Sequence, residues 1–246
     1  MMFLRFNFSL LSISTLAFVF ASLSLTSFFA QKQIDEQLHG WVVYQGNHKL
    51  NSHFDLHTEY QWRRADGFND WQQSLTRIGL DYKLNPSVTV SGGYGWIVSY
   101  PYGAQPIASK TNEHRLWQQV VFKQTIGELQ FQHRYRLEQR WIDTLFRQRI
   151  RYRAQCIIPL QKRYIGQGKG LFLNVNDEVF LGFGKGIGKN ILDQNRLILA
   201  LGYKFSPNLN IQMGYMNQFV IKSNGVQMER NHTLWTSIVY NLDFSK

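Results

Sequence analysis

The chain has 246 residues, 44% of them hydrophobic and 17% charged, which is enough apolar material for one sizeable domain and too much for a disordered protein. A mean hydropathy of -0.29 is too polar for a bundle of membrane helices. The formal net charge is +11, but many of the arginines stand at every second position, and this spacing disfavours the clustered patch of a nucleic-acid-binding protein. The single cysteine, Cys156, excludes an internal disulfide and a multi-cysteine metal site.

The N-terminal segment has the order of a signal peptide. One positive charge at Arg5 is followed by an apolar and small-residue stretch from Phe8 to Ala30. Cleavage after Ala30 would put Phe28 where a small residue is preferred, and the stretch is long enough for an uncleaved helical anchor, which stays open as the alternative. We expect residues 1–30 to be a signal peptide and residues 31–246 to form one outer-membrane domain.

After Ala30 the hydrophobic pattern has a period of two, which is typical of β-strands. In one early segment Leu56 and Tyr60 alternate with Asp55 and Glu59, so one face is apolar and the other ionic. Such segments recur to the C-terminus and are longer than the five or six residues of a typical soluble strand. Aromatic residues gather near both ends of the segments, as they do at the two interfaces of a bilayer. They are Tyr60, Trp62, Trp96 and Trp141 at one end and Tyr82, Tyr203, Phe205, Tyr240 and Phe244 at the other.

The connections alternate between short turns and long loops, as in outer-membrane barrels with periplasmic turns and external loops. The short turns are Asn85-Pro86, Ile126-Gly127 and Ser206-Pro207-Asn208; the long loops lie near residues 65–70, 99–112, 185–193 and 222–229, and residues 159–170 form a long exception on the turn side. Eleven strands can be counted, whereas bacterial barrels have even numbers, so we expect a further strand near residues 31–38 or one strand wrongly split. The predicted fold class is all-β: an antiparallel up-and-down transmembrane β-barrel of roughly 10 to 12 strands.

The main polar feature is a pair of arginine-rich strands on either side of Asp143-Thr144. A two-residue turn there would pair Arg140 with Arg147, Glu138 with Arg149, Arg136 with Arg151 and Arg134 with Arg153. Three of these are like-charge pairs, which destabilise a sheet unless acceptors are supplied. A turn at Ile126-Gly127 would supply them by pairing Glu113 with Arg140 and Arg115 with Glu138. The candidate residues for lumen binding or ion pairing are Glu113, Arg115, Arg134, Arg136, Glu138, Arg140, Arg147, Arg149, Arg151, Arg153 and Glu178.

Two interpretations of these arginines stay open. The favoured one is a lumen stabilised by salt bridges, with Asp55, Glu59, Asp81, Glu128 and Glu178 as further inward carboxylates. The other is an anion-attracting constriction or binding site. Because 10 to 12 strands lie between a barrel filled by side chains and a wide channel, we expect a narrow or occluded pore.

The histidines and the glycine-rich segment give no specific catalytic motif. His53 and His57 share a predicted inward face, but four residues along a strand separate them by about 13 Å, too far to share a metal ion. His114 and His232 could form a rim triad with Glu113, Ser223 and Asn224, although chance explains that grouping equally well. The run GFGKGIGK at residues 182–189 lacks phosphate-loop spacing and is interpreted as an external loop. We expect no enzyme, cofactor or metal.

Several segments together resemble the bacterial outer-membrane family called domain of unknown function 2490. They are RQRIRYR (147–153), NDEVF (176–180), DQNRL (193–197), Gly202-Tyr203 and Gly214-Tyr215. The resemblance spans most of the chain after the signal segment. It implies a signal peptide and an outer-membrane barrel, and it implies no established activity or catalytic residue.

We therefore expect a protein of the bacterial outer membrane, surrounded by its lipid, that acts as a narrow channel, a binding protein or an envelope-structural element. A small anionic solute is the ligand that the arginines would attract, and nucleic acid is not an expected partner. The alternative is a barrel enzyme that acts on lipid or surface polymer. A soluble periplasmic sandwich or barrel with an apolar ligand is disfavoured, because it would leave an aromatic outer face in water.

Overall fold

The computed structural model describes residues 34–184, 187, 191–222 and 224–245; the predicted signal peptide lies outside these residues. These described residues form eleven strands and one helical turn. In chain order they are β1 (Ile34–Lys49), β2 (Phe54–Ala65), β3 (Asp70–Asn85), β4 (Val88–Ser99), β5 (Thr111–Ile126), β6 (Leu129–Ile142), β7 (Leu145–Pro159), α1 (Arg163–Gly166), β8 (Gly170–Phe183), β9 (Leu192–Ser206), β10 (Leu209–Ile221) and β11 (Met228–Tyr240). Among the described residues, no helix is long and apolar enough to span a bilayer.

The strands form one closed barrel. Each strand pairs antiparallel with its neighbour in the sequence, and β1 pairs with β11 in parallel, for example Trp41 with Trp235. In a meander with an odd number of strands the first and last strands run in the same direction, so the closing ladder must be parallel. The predicted all-β up-and-down barrel of roughly 10 to 12 strands is confirmed, with eleven strands. The expectation of an even number is wrong, because residues 34–38 are the beginning of β1 and not a further strand.

The two ends of the barrel differ in their connections. At the end that we call the turn rim, β3–β4, β5–β6 and β9–β10 are joined by two-residue turns, and the longer β7–β8 connection contains α1. There Tyr164 is buried and its ring lies 5.2 Å from that of Phe172. At the opposite end, the loop rim, lie the β2–β3, β4–β5, β6–β7, β8–β9 and β10–β11 connections. The predicted long loops are therefore all at one end, together with the short turn at Asp143-Thr144.

The side chains divide between the outer face and the lumen as the alternation predicts. The outward Leu80, Leu137 and Leu199 are 44%, 37% and 51% exposed, whereas the inward Arg77 and Glu138 are 3% and 0% exposed. Aromatic rings pair on the outer face near the loop rim (Trp62–Trp71, Trp141–Phe146) and near the turn rim (Phe54–Tyr82, Tyr203–Phe205). The barrel thus has an apolar outside and a charged inside.

Two residues that the alternation predicts to face the lumen, Glu128 and His53, do not do so. Glu128 lies in the β5–β6 turn and is exposed, and His53 lies in the β1–β2 connection, also exposed, with its ring stacked on Tyr82 at 6.2 Å. Both residues stand just outside the regular strand, where alternation no longer fixes the side-chain direction.

Glycines on β3 and β4 make room for a fully buried tryptophan in the lumen. Trp117 on β5 is completely buried. A Cβ atom at Gly79 would lie 2.4 Å from the Trp117 ring, and one at Gly93 would lie 2.7 Å from it. Any larger residue at these two inward positions would displace the indole.

Candidate functional site

The β6–β7 hairpin has the register that the sequence predicts. Arg140 pairs with Arg147, Glu138 with Arg149, Arg136 with Arg151 and Arg134 with Arg153. All of these side chains point into the lumen, so three like-charge pairs stand directly opposite each other on neighbouring strands. Carboxylates from other strands must therefore stabilise them.

The β5–β6 hairpin differs from the prediction by two residues. Its turn is Gly127-Glu128, so Ile126 pairs with Leu129, and Arg115 lies opposite Arg140 where Glu113 was expected. The first turn residue has a φ of 60°, which favours glycine and fixes the turn at Gly127. A shift of two keeps every side chain on its predicted face.

The two predicted ion pairs between β5 and β6 form in spite of this shift, because long side chains reach diagonally. Arg140 Nε lies 2.8 Å from Glu113 Oε1, and Arg115 Nη1 lies 3.3 Å from Glu138 Oε1. Arg115 also donates to Glu113 at 2.5 Å. The inward face of β5 therefore supplies one of the carboxylates that the arginine hairpin needs.

Glu138 is the centre of the ion-pair network. One of its carboxylate oxygens lies 2.7 Å from Arg151 Nη1, the other 2.7 Å from Arg149 Nη2, and Arg77 approaches to 4.0 Å. Together with Arg115, four guanidinium groups from β3, β5 and β7 surround this one buried carboxylate. Its negative charge is shared among strands that are not all neighbours in the barrel.

Three further carboxylates neutralise the arginine cluster from other strands. Glu178 on β8 lies 2.5 Å from Arg134 and 2.8 Å from Arg151, and Asp193 on β9 lies 2.8 Å from Arg149. Glu59 on β2 contacts Arg77. The favoured interpretation of the hairpin, a lumen stabilised by salt bridges, describes these contacts.

The carboxylates do not reach all of the arginines. Within the described residues, five inward arginines make no salt bridge: Arg63, Arg136, Arg147, Arg153 and Arg196. Four of them donate to a glutamine instead; for example, Arg136 donates from Nε to Gln119 at 2.9 Å. Among these five, the buried guanidinium nitrogens without a hydrogen-bond partner are Arg136 Nη1, Arg147 Nε, Arg153 Nε and Arg196 Nε. The salt-bridged Arg77 and Arg134 each leave their Nε without a partner as well.

Two large cavities lie in the lumen of the barrel that the described residues form. The turn-side cavity has a volume of about 460 Å³ and the loop-side cavity about 280 Å³. Five side chains line both and therefore lie between them; we call this layer the septum. The septum consists of Trp41, Gln61, Arg77, Arg151 and Arg196.

The loop-side cavity is strongly cationic. Its described lining includes eight arginines and Lys222, with Asp193 as the carboxylate. The eight are Arg63, Arg77, Arg115, Arg140, Arg147, Arg149, Arg151 and Arg196. The Trp41 ring packs against two of them: the guanidinium carbons of Arg63 and Arg196 lie 4.0 and 5.0 Å from its centre.

The β4–β5 connection folds over this cavity and contributes Tyr100, Tyr102, Gln105 and Ile107 to its lining. The Tyr102 hydroxyl donates to Glu229 at 3.1 Å, and Glu229 also contacts Lys222. Burial, followed by the nearby Glu229 charge, raises the pKa of the Tyr102 hydroxyl, which keeps it protonated as a donor. The sequence predicts a long loop here but not that it turns inward.

The structure does not bring the histidine candidates together. His114 contacts Tyr94 at 2.5 Å and His232 contacts Tyr215 at 2.6 Å, both on the outer face, whereas Glu113 points into the lumen. Ser223 lies outside the described residues, as does most of the glycine-rich run after Gly184. In the part of the chain that the structure describes, no group of three or more His, Cys, Asp or Glu side chains could hold a metal ion.

Sequence reasoning missed Arg63, Arg77, Arg196 and Asp193 as members of the cluster. The three arginines stand at inward positions of their strands, so the same alternation could have found them. Asp193 could not be found in this way, because the β8–β9 ladder shifts register between Phe180 and Leu181.

Comparison with known proteins identifies a family but no activity. The family model described as "Protein of unknown function (DUF2490)" matches residues 38–229. A solved structure, the siderophore receptor PirA from Pseudomonas aeruginosa, is 12% identical with a TM-score of 0.27 and is matched over 69% of this chain. The chain spans 31% of that receptor, and a likeness at this TM-score carries no argument. No curated protein matches the chain.

Proposed function

The chain belongs to the family Protein of unknown function (DUF2490), whose description assigns no activity, and we propose that it is an outer-membrane β-barrel that binds a small anionic solute in its loop-side cavity. The binding role is non-catalytic in this proposal. It rests on the membrane-facing outer surface, the surplus of guanidinium groups in the lumen, and the septum.

The outer surface supports a location in the bacterial outer membrane. Outward leucines such as Leu199 are about half exposed, and aromatic pairs lie near both ends of the barrel. A soluble protein rarely exposes a contiguous apolar surface of this kind, whereas a bilayer covers it. We propose that the loop rim faces the outside of the cell and the turn rim the periplasm, as in other barrels with one long-loop end.

The surplus of positive charge in the loop-side cavity is the observation that carries the binding role. Arg63, Arg147 and Arg196 line it without a salt bridge to any described carboxylate. An uncompensated buried charge is costly, so the folded barrel gains free energy when an anion enters. The salt-bridged arginines beside them hold the lining in place, which favours binding by lowering the ordering cost.

The septum favours binding over free conduction. Its arginine and tryptophan side chains lie between the two cavities, so the lumen is narrow or interrupted at this depth. A volume of about 280 Å³ lies at the lower end of the range for ligand pockets, which favours a solute of few atoms. We expect the barrel in planar bilayers to show low conductance with a preference for anions.

Calorimetric titration of the purified barrel with inorganic phosphate and with succinate tests this proposal. Arg147→Gln removes a guanidinium that lines the loop-side cavity without a salt bridge, and it should weaken binding about 10- to 100-fold, because hydrogen bonds to charged groups contribute about 1.5–3 kcal/mol. The control is Lys123→Gln, which removes a positive charge that lines only the turn-side cavity. Absence of binding by the wild-type barrel, or equal effects of the two variants, would refute the assignment.

A further inference from the structure

The turn-side cavity differs from the loop-side cavity because one of its walls is apolar. Trp41, Ile198, Ala200 and Met216 form a buried cluster with Trp235 packed against it, and four of these five residues line the cavity. The wall belongs to β1, β9, β10 and β11. Val43 and Val239 extend it along β1 and β11.

The opposite wall is cationic. In the closed barrel β6 lies five strands from β11 in one direction and six in the other, so the arginines of β6 face the apolar wall across the lumen. Arg136 donates to Gln119 and Arg153 on β7 donates to Gln132, and each keeps a buried nitrogen without a hydrogen-bond partner. Arg136 is 2% exposed, so its free donor Nη1 is not satisfied by bulk solvent.

Three of the four acidic residues that line this cavity already contact a cation. Glu178 binds Arg134 and Arg151, Glu59 contacts Arg77, and Asp55 lies 2.5 Å from Lys83. The fourth, Asp81, accepts from Asn47 at 2.8 Å and lies 3.8 Å from His57, while its Oδ1 has no hydrogen-bond partner. Arg136 and Arg153 on the cationic wall are therefore in excess here, as is Arg196, which stands on β9 with its guanidinium 5.0 Å from the Trp41 ring.

Neutral amides occupy the turn-rim end of the cavity. Gln155 donates to Asn174 at 2.9 Å, and Asn174 donates to Gln212 at 2.7 Å. This chain of hydrogen bonds adds no charge that would compete with an anion deeper in the lumen. The cavity thus combines a polar end, one cationic wall and one apolar wall.

From this arrangement we infer a second binding site, in the turn-side cavity, for an amphiphile with a single anionic headgroup and a short hydrocarbon chain. The headgroup, an organic carboxylate, lies against Arg136 and Arg153, and the hydrocarbon packs against Ile198, Met216 and Trp235. A volume of about 460 Å³ is within the range of ligand pockets and limits the length of the chain. The inference does not depend on an anion in the loop-side cavity.

The probe is a series of water-soluble carboxylates, butanoate, hexanoate and octanoate, titrated by calorimetry into the full-length barrel in lipid nanodiscs. Heat from empty nanodiscs is subtracted. Affinity should rise about fourfold for each methylene until the cavity is full, because a buried methylene contributes about 0.8 kcal/mol. 1-Octanol, which has the chain without the charge, should bind at least tenfold more weakly than octanoate.

Three variants locate the site. Arg153→Gln and Met216→Gln should each weaken octanoate binding about tenfold or more. Arg147→Gln, which changes a residue of the loop-side cavity that does not line the turn-side cavity, should leave octanoate binding unchanged. Thermal unfolding is measured for each variant, and Arg153→Gln alone is decisive if Met216→Gln does not fold. Equal affinity for butanoate and octanoate, or for octanoate and 1-octanol, overturns the inference, as does an equal loss in Arg153→Gln and Arg147→Gln.

These outcomes are separate from those of the loop-side proposal. Arg153→Gln should keep phosphate binding, since Arg153 lines the turn-side cavity and not the loop-side one. The loop-side proposal can therefore fail while the turn-side site stands, and the reverse.

Discussion

Replacement of Glu138 by glutamine should strongly destabilise the barrel. The carboxylate is completely buried and lies within 3.3 Å of Arg115, Arg149 and Arg151. Glutamine keeps the shape but removes the charge, and its amide nitrogen must point at one of these guanidinium groups. Removal of one partner from a buried ion pair costs about 3–5 kcal/mol, because the remaining charges stay buried without compensation.

Urea unfolding of the barrel inserted in lipid vesicles measures this free energy. The matched control is Asp243→Asn, which breaks the exposed Lys49–Asp243 pair at 3.2 Å near the C-terminus. An exposed pair contributes little to stability and weakens with salt, whereas the loss in Glu138→Gln should hardly change with ionic strength. If Glu138→Gln costs no more than Asp243→Asn, Glu138 is not the centre of the network and the salt-bridge interpretation of the lumen is wrong.

Two further substitutions test the insertion of the barrel in a bilayer and the closure of the β4–β5 loop. Leu199→Arg places a charge on the outer face and should lower the free energy of unfolding by about 2–4 kcal/mol if this position lies near the bilayer midplane. The control, Val226→Arg in the exposed β10–β11 loop, should leave the free energy of unfolding almost unchanged. Equally small effects of the two variants in vesicle unfolding would argue against a membrane-spanning barrel. Tyr102→Phe should open the β4–β5 loop, seen as faster amide hydrogen exchange over residues 100–110, since it removes the hydrogen bond to Glu229. Because the pKa of Tyr102 is raised in the closed loop, closure should be fully stable below about pH 10 and weaken above it, and Tyr102→Phe should abolish this pH dependence. Exchange that is unaffected by Tyr102→Phe would show that the hydroxyl does not hold the loop.

Alternation in the sequence predicts the face of each side chain more reliably than its partner. The β6–β7 pairs were predicted correctly because Asp143-Thr144 is the turn that the structure has. In β5–β6, turns at Ile126-Gly127 and at Gly127-Glu128 give the same faces, so the pattern could not decide between them and the predicted pairs differ by two residues. The position of Glu113 and Arg115 inside the lumen was right, while their partners across the ladder were not.

Features that break the repeat could not be predicted from it. The register shift in β8–β9 places Asp193 beside Arg149, and no spacing rule anticipates that contact. The parallel ladder between β1 and β11 follows from an odd strand number, which only the complete set of strand boundaries supplies. Likewise, the inward fold of the β4–β5 loop depends on Tyr102 meeting Glu229, which is 127 residues away.

The glutamines beside the surplus arginines support the proposal of a binding lumen over a lumen that is only stabilised by salt bridges. Arg136, Arg153 and Arg196 each donate to a neutral amide at a position where a carboxylate would fit, as Glu138 and Glu178 do elsewhere in the same cluster. An amide satisfies guanidinium donors and fixes their direction, but it leaves the positive charge uncompensated. A lumen that served stability alone would gain from a carboxylate at these positions, whereas an anion site requires both the fixed geometry and the remaining charge.

We therefore expect Gln119→Glu to raise the stability of the empty barrel in vesicle unfolding and to weaken octanoate binding. A variant that binds octanoate as tightly as the wild type would show that the charge left by the amides does not hold the ligand.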